Sequence, residues 1–486
     1  MNKHLSKIQG REAMKRNLSL LLCLVMVLAV FALVPINVSA VNITVPLDYP
    51  TIQDAIDAAN PGDTIIVKAG YYYEQLSISK ELTIQGEGRD ITFIDGGGVG
   101  IVVDVSAHGF NIMDISITGA GPEWSMMGLR VSNSNNCNII NCDFSNNPNR
   151  GIYSHSVLNS TFKNNIFYNN GYGLAFDDHS NDNLISGNLF FENDWGLIIR
   201  QSLRNTIENN FIISNNQQGL LLEYYSNHNE IVNNICIDND RDGIAISDFS
   251  SNNIIVDNFC RDNRMGIRLG GSSHNIITDN NCTNNVYGIY LVTSSSNSFS
   301  RNVLWVNSRG LHLGDPHFGN STENIFFHNN FINNVYQVED SDPSNNSYYN
   351  PALSEGNYWS DYTGLDDGSG GRTAGDGIGD TLIPHPDTPF DLYPLMEPWR
   401  EEKTPKEALK DLIQDVDDLD LPKGTENSLK SKLENAFESL EQGKDNAAKN
   451  KIGAFIREIS AQSGKKLTED DAKELMEAAR NIMESI

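Results

Sequence analysis

Between Gly128 and Leu313 the chain repeats one phrase, a glycine followed by apolar, variable and apolar residues. Copies begin at Gly128, Gly151, Gly173, Gly196, Gly219, Gly243, Gly266, Gly288 and Gly310, at intervals of 22 to 24 residues. A second phrase recurs at a fixed offset, as in Asn205-Thr206-Ile207-Glu208-Asn209-Asn210 and Asn229-Glu230-Ile231-Val232-Asn233-Asn234. The apolar runs are too short for helices and alternate with period two. Between them lie Asn, Ser, Asp and Gly, which suit tight and left-handed corners. Short strands joined by such corners in a coil of about 22 residues predict the rung of a parallel β-helix.

Alternation along a strand places the first and third residues after each glycine inward and the second outward. Leu129/Val131, Leu174/Phe176, Leu197/Ile199, Leu220/Leu222, Ile244/Ile246, Ile267/Leu269, Ile289/Leu291 and Leu311/Leu313 satisfy the inward rule, and Ile152/Ser154 is a softer member. The outward column is mixed, running Arg130, Tyr153, Ala175, Ile198, Leu221, Ala245, Arg268, Tyr290, His312. Asparagine at the corners is expected to bond the rungs above and below through its amide while its backbone turns left-handed.

The ends of the repeat read differently. Tyr49 to Ala59 is an amphipathic helix after a Pro-Thr start, placed to cover the first rung, because a bare solenoid end exposes apolar edges and unpaired backbone. After Trp399 the composition turns to Lys, Glu, Asp, Ala and Leu at helical spacing. Thr404-Pro405-Lys406-Glu407 combines an N-cap, a proline at the first helical position and a capping-box glutamate, with Leu409, Leu412, Ile413 and Val416 on one face. Leu429/Leu433/Phe437/Leu440, Ile452/Phe455/Ile456/Ile459 and Leu475/Met476/Ala479/Ile482 mark three more helices, the last capped by Thr468. The expected organisation is a leader over 1–40, a β-helix over 41–345, a closing segment over 346–400 and a four-helix module over 401–486.

A net charge of −28 argues against nucleic acid as a partner, and against a simple electrostatic grip on an acidic polysaccharide unless a cation bridges the two. Lys3, Lys7, Arg11, Lys15 and Arg16 precede the apolar run Leu18 to Val34 and then Val38-Ser39-Ala40, the pattern of a secretory signal cleaved after Ala40. Membrane association is expected only through that segment, if it stays uncleaved. Cys137, Cys142, Cys236, Cys260 and Cys282 are odd in number and form no disulfide framework. Cys260 and Cys282 share a position in the repeat, with Cys236 one residue out of register, and such cysteines are expected as small core residues.

Candidate chemistry lies four and five residues after each glycine. His155, Asp177, Arg200 and Glu223 succeed one another at rung spacing, with Asp178 and Tyr224 beside them and Tyr225 adjoining. This set offers acid, base and cation for sugar chemistry, and Tyr153, Tyr224, Tyr225 and Tyr290 are candidate sugar-binding rings. Asp366 and Asp367, with Asp376 and Asp380, concentrate carboxylates on a glycine-rich backbone suited to a structural Ca²⁺; no other cofactor is called for.

The opening Pro61-Gly62-Asp63-Thr64-Ile65-Ile66-Val67, with Gly70-Tyr71-Tyr72-Tyr73-Glu74 and Leu82-Thr83-Ile84-Gln85-Gly86, resembles the pectin-lyase-like right-handed β-helix superfamily, and most closely its NosD-like repeat proteins. Gly356-Asn357-Tyr358-Trp359-Ser360-Asp361-Tyr362, Gly375-Asp376-Gly377-Ile378-Gly379-Asp380 and Asp391-Leu392-Tyr393-Pro394-Leu395 are similar to the closing signature of secreted members. The resemblance spans about Val41 to Pro398. It implies a mainly β, right-handed parallel β-helix solenoid of carbohydrate-binding or sugar-processing ancestry, and the family name implies a link to copper delivery.

Asp177-Asp178 is similar to the paired aspartates of polygalacturonase-type hydrolases, but Ser154-His155 and Arg200-Gln201 occupy the flanking rungs and leave that set incomplete. Asp315-Pro316-His317 resembles the Asp-Pro-His element of mannuronan epimerases, with Phe318 where an acidic residue is common. The reading is therefore a secreted or surface-attached protein that binds a polysaccharide or glycan or serves as an envelope scaffold. An envelope protein partner would dock through 401–486. The rival is a polysaccharide hydrolase, lyase or epimerase, and the third reading is a metal-handling accessory protein.

Overall fold

The structure, a computed structural model, describes residues 40–314, 319–342, 345–381, 391–400, 404–419 and 421–486. The expected signal over 1–40, apart from its last residue, and the Asp315/His317 element lie outside the described residues. The chain forms two compact units that divide after Trp399.

The first unit is a solenoid of three parallel sheets, with thirteen strands in the first, twelve in the second and thirteen in the third. The first sheet runs from Asn42–Val45 to Ile325–Phe327, the second from Leu76–Ile78 to Tyr336–Asp340, and the third from Gly70–Tyr73 to Tyr358–Trp359. Each turn of chain supplies one strand to each sheet and pairs with the next turn in register. The glycine phrase belongs to the second sheet. A Cβ on Gly173 would lie 2.6 Å from the Gly196 carbonyl oxygen, so the repeat glycine is required by the close approach of successive turns. The last strand of the third sheet, Tyr358–Trp359, comes from the closing segment, which therefore completes the solenoid as well as following it.

Inside, the predicted apolar pairs are buried, and aromatic rings stack from turn to turn, Phe144 on Phe167 and Phe167 on Phe190. Between the first and third sheets the corner holds Asn165, Asn188, Asn210, Asn234, Asn258, Asn280, Asn302, Asn329 and Asn357. Each backbone N–H donates to the side-chain oxygen of the next at 2.9 to 3.0 Å. Each Nδ2 donates to the same oxygen, as from Asn188 to Asn210 at 2.9 Å. A buried corner has no water to satisfy its polar groups, and this column supplies the missing partners.

One expectation is corrected and a second refined. Cys236 is in register with Cys260 and Cys282, because the extra residue of its turn is absorbed at the corner near Asp240 and Arg241, after Asn239. Ala175, Ile198, Leu221 and Ala245, expected to face outward, do leave the main core but are 0 to 6% exposed, in a second apolar cluster on the outer side of the second sheet.

Helix α1, Ile52–Ala58, is capped by Thr51, whose hydroxyl accepts from the Asp54 N–H at 3.1 Å. It buries Ile52, Ala55 and Ile56 against the first turn. In the second unit, α2 (Pro405–Asp418), α3 (Lys423–Glu441), α4 (Asp445–Gln462) and α5 (Glu469–Ser485) enclose a core that includes Leu409, Leu433, Phe455 and Ala479. The capping box of α2 is formed in both directions, with Thr404 Oγ1 accepting from the Glu407 N–H and Glu407 Oε2 from the Thr404 N–H. Among the described residues no helix is long and apolar enough to cross a membrane.

Candidate functional site

The outer face of the second sheet is organised in columns. Two are those expected, the second and fourth residues after each glycine. A third is the residue before the glycine, giving Arg150, Tyr172, Trp195, Gln218 and Asp242. Strict alternation would turn that residue inward. Pairing passes from Tyr172 with Trp195 to Leu174 with Leu197 and omits the glycines, so the pleat is interrupted there, and Tyr172 emerges on the side of Ala175. Sequence reasoning missed this column for that reason; the signal available was its run of aromatic and basic residues.

These side chains fold over the apolar cluster. Tyr172 and Trp195 stack with ring centroids 4.7 Å apart, and the Trp195 indole N–H donates to Gln218 at 2.9 Å. The Arg200 guanidinium lies 5.7 Å from the Tyr172 ring, and its Nε donates to Glu223 Oε1 at 2.5 Å. Its Nη1 is 3.9 Å from Asp177 Oδ1. Burial pulls the Arg200 guanidinium down, but Glu223 and Asp177 outweigh it and hold the charge firmly. Burial pushes the Asp177 carboxyl up against the opposing pull of Arg200 and Arg150, and its Oδ1 is buried without a hydrogen bond among the described residues.

Arg150, on the preceding turn, is itself buried. Its guanidinium sits 3.9 Å from the Trp124 ring and 5.0 Å from Tyr153, and Nη1 donates to the Trp124 carbonyl. Trp124, on the loop before the first glycine phrase, is 63% exposed. Burial pulls Arg150 down. Burial, and then the neighbouring Asp177, push the Tyr153 hydroxyl up.

Of the predicted residues, the structure thus brings together Tyr153, Asp177, Arg200 and Glu223, and adds Trp124, Arg150, Tyr172 and Trp195. His155 and Asp178 form an adjoining pair, with Nδ1 and Oδ2 3.4 Å apart. Tyr224 and Tyr225 occupy a left-handed corner with φ of 55° and 61°, and Tyr225 stacks on Phe249. Beyond Glu223 the face opens into a cleft of about 460 Å³ lined by residues including Leu221, Glu223, Ser247, Phe249 and Arg268. Tyr290 lies further along the same face, stacked on His312 at 5.0 Å.

In the closing segment the four aspartates engage the backbone. Asp366 accepts from the Gly375 and Gly377 N–H groups, Asp367 from Ser369, Asp376 from Ile378, and Asp380 Oδ2 from Asp367 and Gly368. Among the described residues no three or more His, Cys, Asp or Glu side chains converge as a metal-holding group.

Residues 236–364 match the family described as periplasmic copper-binding protein (NosD), and residues 83–198 and 127–259 match the right-handed β-helix region. No curated protein matches the chain in sequence. Among solved structures, the chain is similar to the periplasmic alginate epimerase AlgG, at 15% identity over 63% of this chain and 82% of that one, with a TM-score of 0.43. It is also similar to the A-module of the Azotobacter vinelandii mannuronan C-5 epimerase AlgE4, at 16% identity over 59% and 91%, TM-score 0.41. The catalytic domain of a GH87 α-1,3-glucanase in complex with tetrasaccharides gives 14% identity over 64% and 67%, TM-score 0.49.

Proposed function

We propose that this right-handed parallel β-helix protein, similar to the NosD family over residues 236–364 and carrying a C-terminal helical module, acts outside the cytoplasm by binding carbohydrate on the outer face of its second sheet. One observation carries this reading: Arg200 is fixed between Asp177 and Glu223 against the ring of Tyr172, which itself stacks on Trp195. Aromatic rings offer apolar surface to the carbon face of a sugar, and charged groups already held in place bind hydroxyls without first being ordered. Trp124 and Tyr153 extend the aromatic surface by one turn, and the helical module serves for attachment.

The second reading, a polysaccharide-modifying enzyme, is favoured by Asp177. A half-buried carboxyl with a raised pKa, whose Oδ1 faces Arg200 without a hydrogen bond, is the kind of group that donates or removes a proton. The copper in the NosD family description finds no fitting donor set among the described residues. Cys236, Cys260 and Cys282 share one column, but all three are sealed in the core. Cys236 is held protonated chiefly by its contact with Cys260; at Cys260 the contact with Cys236 pulls the pKa down, and Cys282 and burial outweigh it.

The test is retention of the secreted chain on polygalacturonate, alginate, xylan and cellulose, with product analysis of each polymer. Retention without chemical change, weakened in a Trp195→Ala variant, is the expected result. Product that disappears in Asp177→Asn would establish the enzyme reading instead, and neither retention nor product would overturn both.

A further inference from the structure

The outer face of the third sheet carries apolar residues that join neither the interior core nor the cluster on the second sheet. Four successive strands, Ile166–Tyr168, Leu189–Phe191, Phe211–Ile213 and Ile235–Ile237, turn both end residues outward and bury only the middle one. Every outward side chain of this block is aliphatic or aromatic. Tyr168 stacks on Phe191 with ring centroids 4.4 Å apart, and Phe211 is 48% exposed. A contiguous apolar face rimmed by polar residues is the mark of an interaction surface.

The face has the same character read in either direction. Outward from the apolar block come Asp143 with Ser145 and then Ser116 with Thr118 on one side, and Phe259 with Arg261 and then Asn281 with Thr283 on the other. Beyond these mostly polar turns the face is apolar again, at Phe93 on one side and at Val303 and Trp305 on the other. The centre of this palindrome lies between the Leu189 and Phe211 strands. A two-fold axis there, parallel to the strands, lays one copy on another with turn order reversed. Leu189 then meets Phe211, the Asp143 turn meets the Arg261 turn, and Phe93 meets Val303. Asp143 already has Arg89 of its own copy nearby, and the second copy's Arg261 adds to that balance. An axis along the solenoid would instead bring Asp143 turns together and Arg261 turns together.

We infer that the outer face of the third sheet is a self-association surface, through which two copies of this chain pack face to face with their solenoid axes antiparallel. Sheets packed in this way keep their strands aligned at about 10 Å separation. The ten strands from Thr92–Asp95 to Val303–Trp305 make a face roughly 43 Å long and roughly 13 Å wide. Each copy then loses on the order of 600 Å², and the pair about twice that, the lower bound of specific interfaces. The charge of −28 on each chain opposes association, so the dimer is weak and strengthens as salt screens that repulsion.

The experiment is sedimentation of the intact secreted chain over a micromolar concentration series at low and high salt. A reversible monomer–dimer equilibrium favoured by salt is expected, with no larger species, because a two-fold contact closes on itself. Phe211→Glu should weaken the dimer about a hundredfold or more, since the symmetry counts each substitution twice. Ile276→Glu, 46% exposed but on the first sheet, should leave it unchanged. A spin label on Val306→Cys reads the orientation, because the five cysteines of the solenoid are buried and do not compete for it. In the antiparallel dimer the two labels stand on the order of 45 Å apart. A chain that stays monomeric, assembly beyond a dimer, a dimer indifferent to Phe211→Glu, or labels much closer than that would overturn the inference. None of these results bears on the carbohydrate reading.

Discussion

The backbone N–H of Asn357 donates to Oδ2 of Asp391 at 2.8 Å, in the position where each earlier member of the column meets the next asparagine. The same oxygen accepts from the Trp359 indole at 2.9 Å. Asp391 thus ends the corner column with a carboxyl that is fully buried.

Burial raises the Asp391 pKa from 3.8 to about 6, against the pull of Trp359, Asn357 and Tyr393. Between those values the folded state holds a proton that the unfolded chain has released. The contribution is present in full at low pH and is lost as pH rises through about 6, a change on the order of 3 kcal/mol. The unfolding midpoint of the parent, compared with that of Asp391→Asn from pH 4 to 8, should show this component in the parent alone. Equal pH dependence of the two would contradict it.

Asn210→Ala removes one step of the buried column. It leaves the Asn188 N–H without its acceptor and the Ile185 carbonyl without its donor. A loss of about 2–4 kcal/mol is expected in denaturant unfolding. Substitution at Asn216, whose amide reaches Asp194 on an exposed corner, should cost under about 1 kcal/mol.

Arg200→Ala leaves Asp177 and Glu223 without the cation between them. Glycan affinity should fall about tenfold or more, because a fixed charged donor is removed and two half-buried carboxylates are left facing each other. Arg200→Lys keeps the charge without the planar fork, so it should restore part of the affinity. Titration calorimetry of the three proteins checks the order.

Thr404→Ala removes the hydroxyl that accepts from the Glu407 N–H and leaves in place the other half of the α2 capping box, in which the Glu407 carboxylate accepts from the residue 404 backbone N–H. The expected loss is about 1 kcal/mol, confined to the helical unit. Amide exchange should quicken within Pro405–Asp418 and remain unchanged in the solenoid strands.

Much of this fold could be read from the repeat, because period-two alternation, corner asparagines and a glycine forced by close approach are all local demands. Leu174 and Phe176 follow that logic, as does Thr404. What escaped was produced by small departures from periodicity. The interrupted pleat at Gly173 turned Tyr172 outward and so assembled the aromatic part of the site. The corner near Asp240 took up an extra residue and brought Cys236 into its column. Trp124 reaches the site from a loop outside the repeat, where no spacing rule applies. Tyr224 carried the right residue type, but its left-handed corner placed it beside the sheet face.

The corner columns also limit how such a gene can change length. Every turn passes the same donors and acceptors to the next, so a whole repeat can be duplicated or deleted with each partner replaced in kind. A single residue inserted within a strand would reverse its inner and outer faces. Growth by whole repeats would lengthen the outer face of the second sheet in steps of about 4.8 Å, so duplication alone could extend that surface while leaving the turns already present as they are.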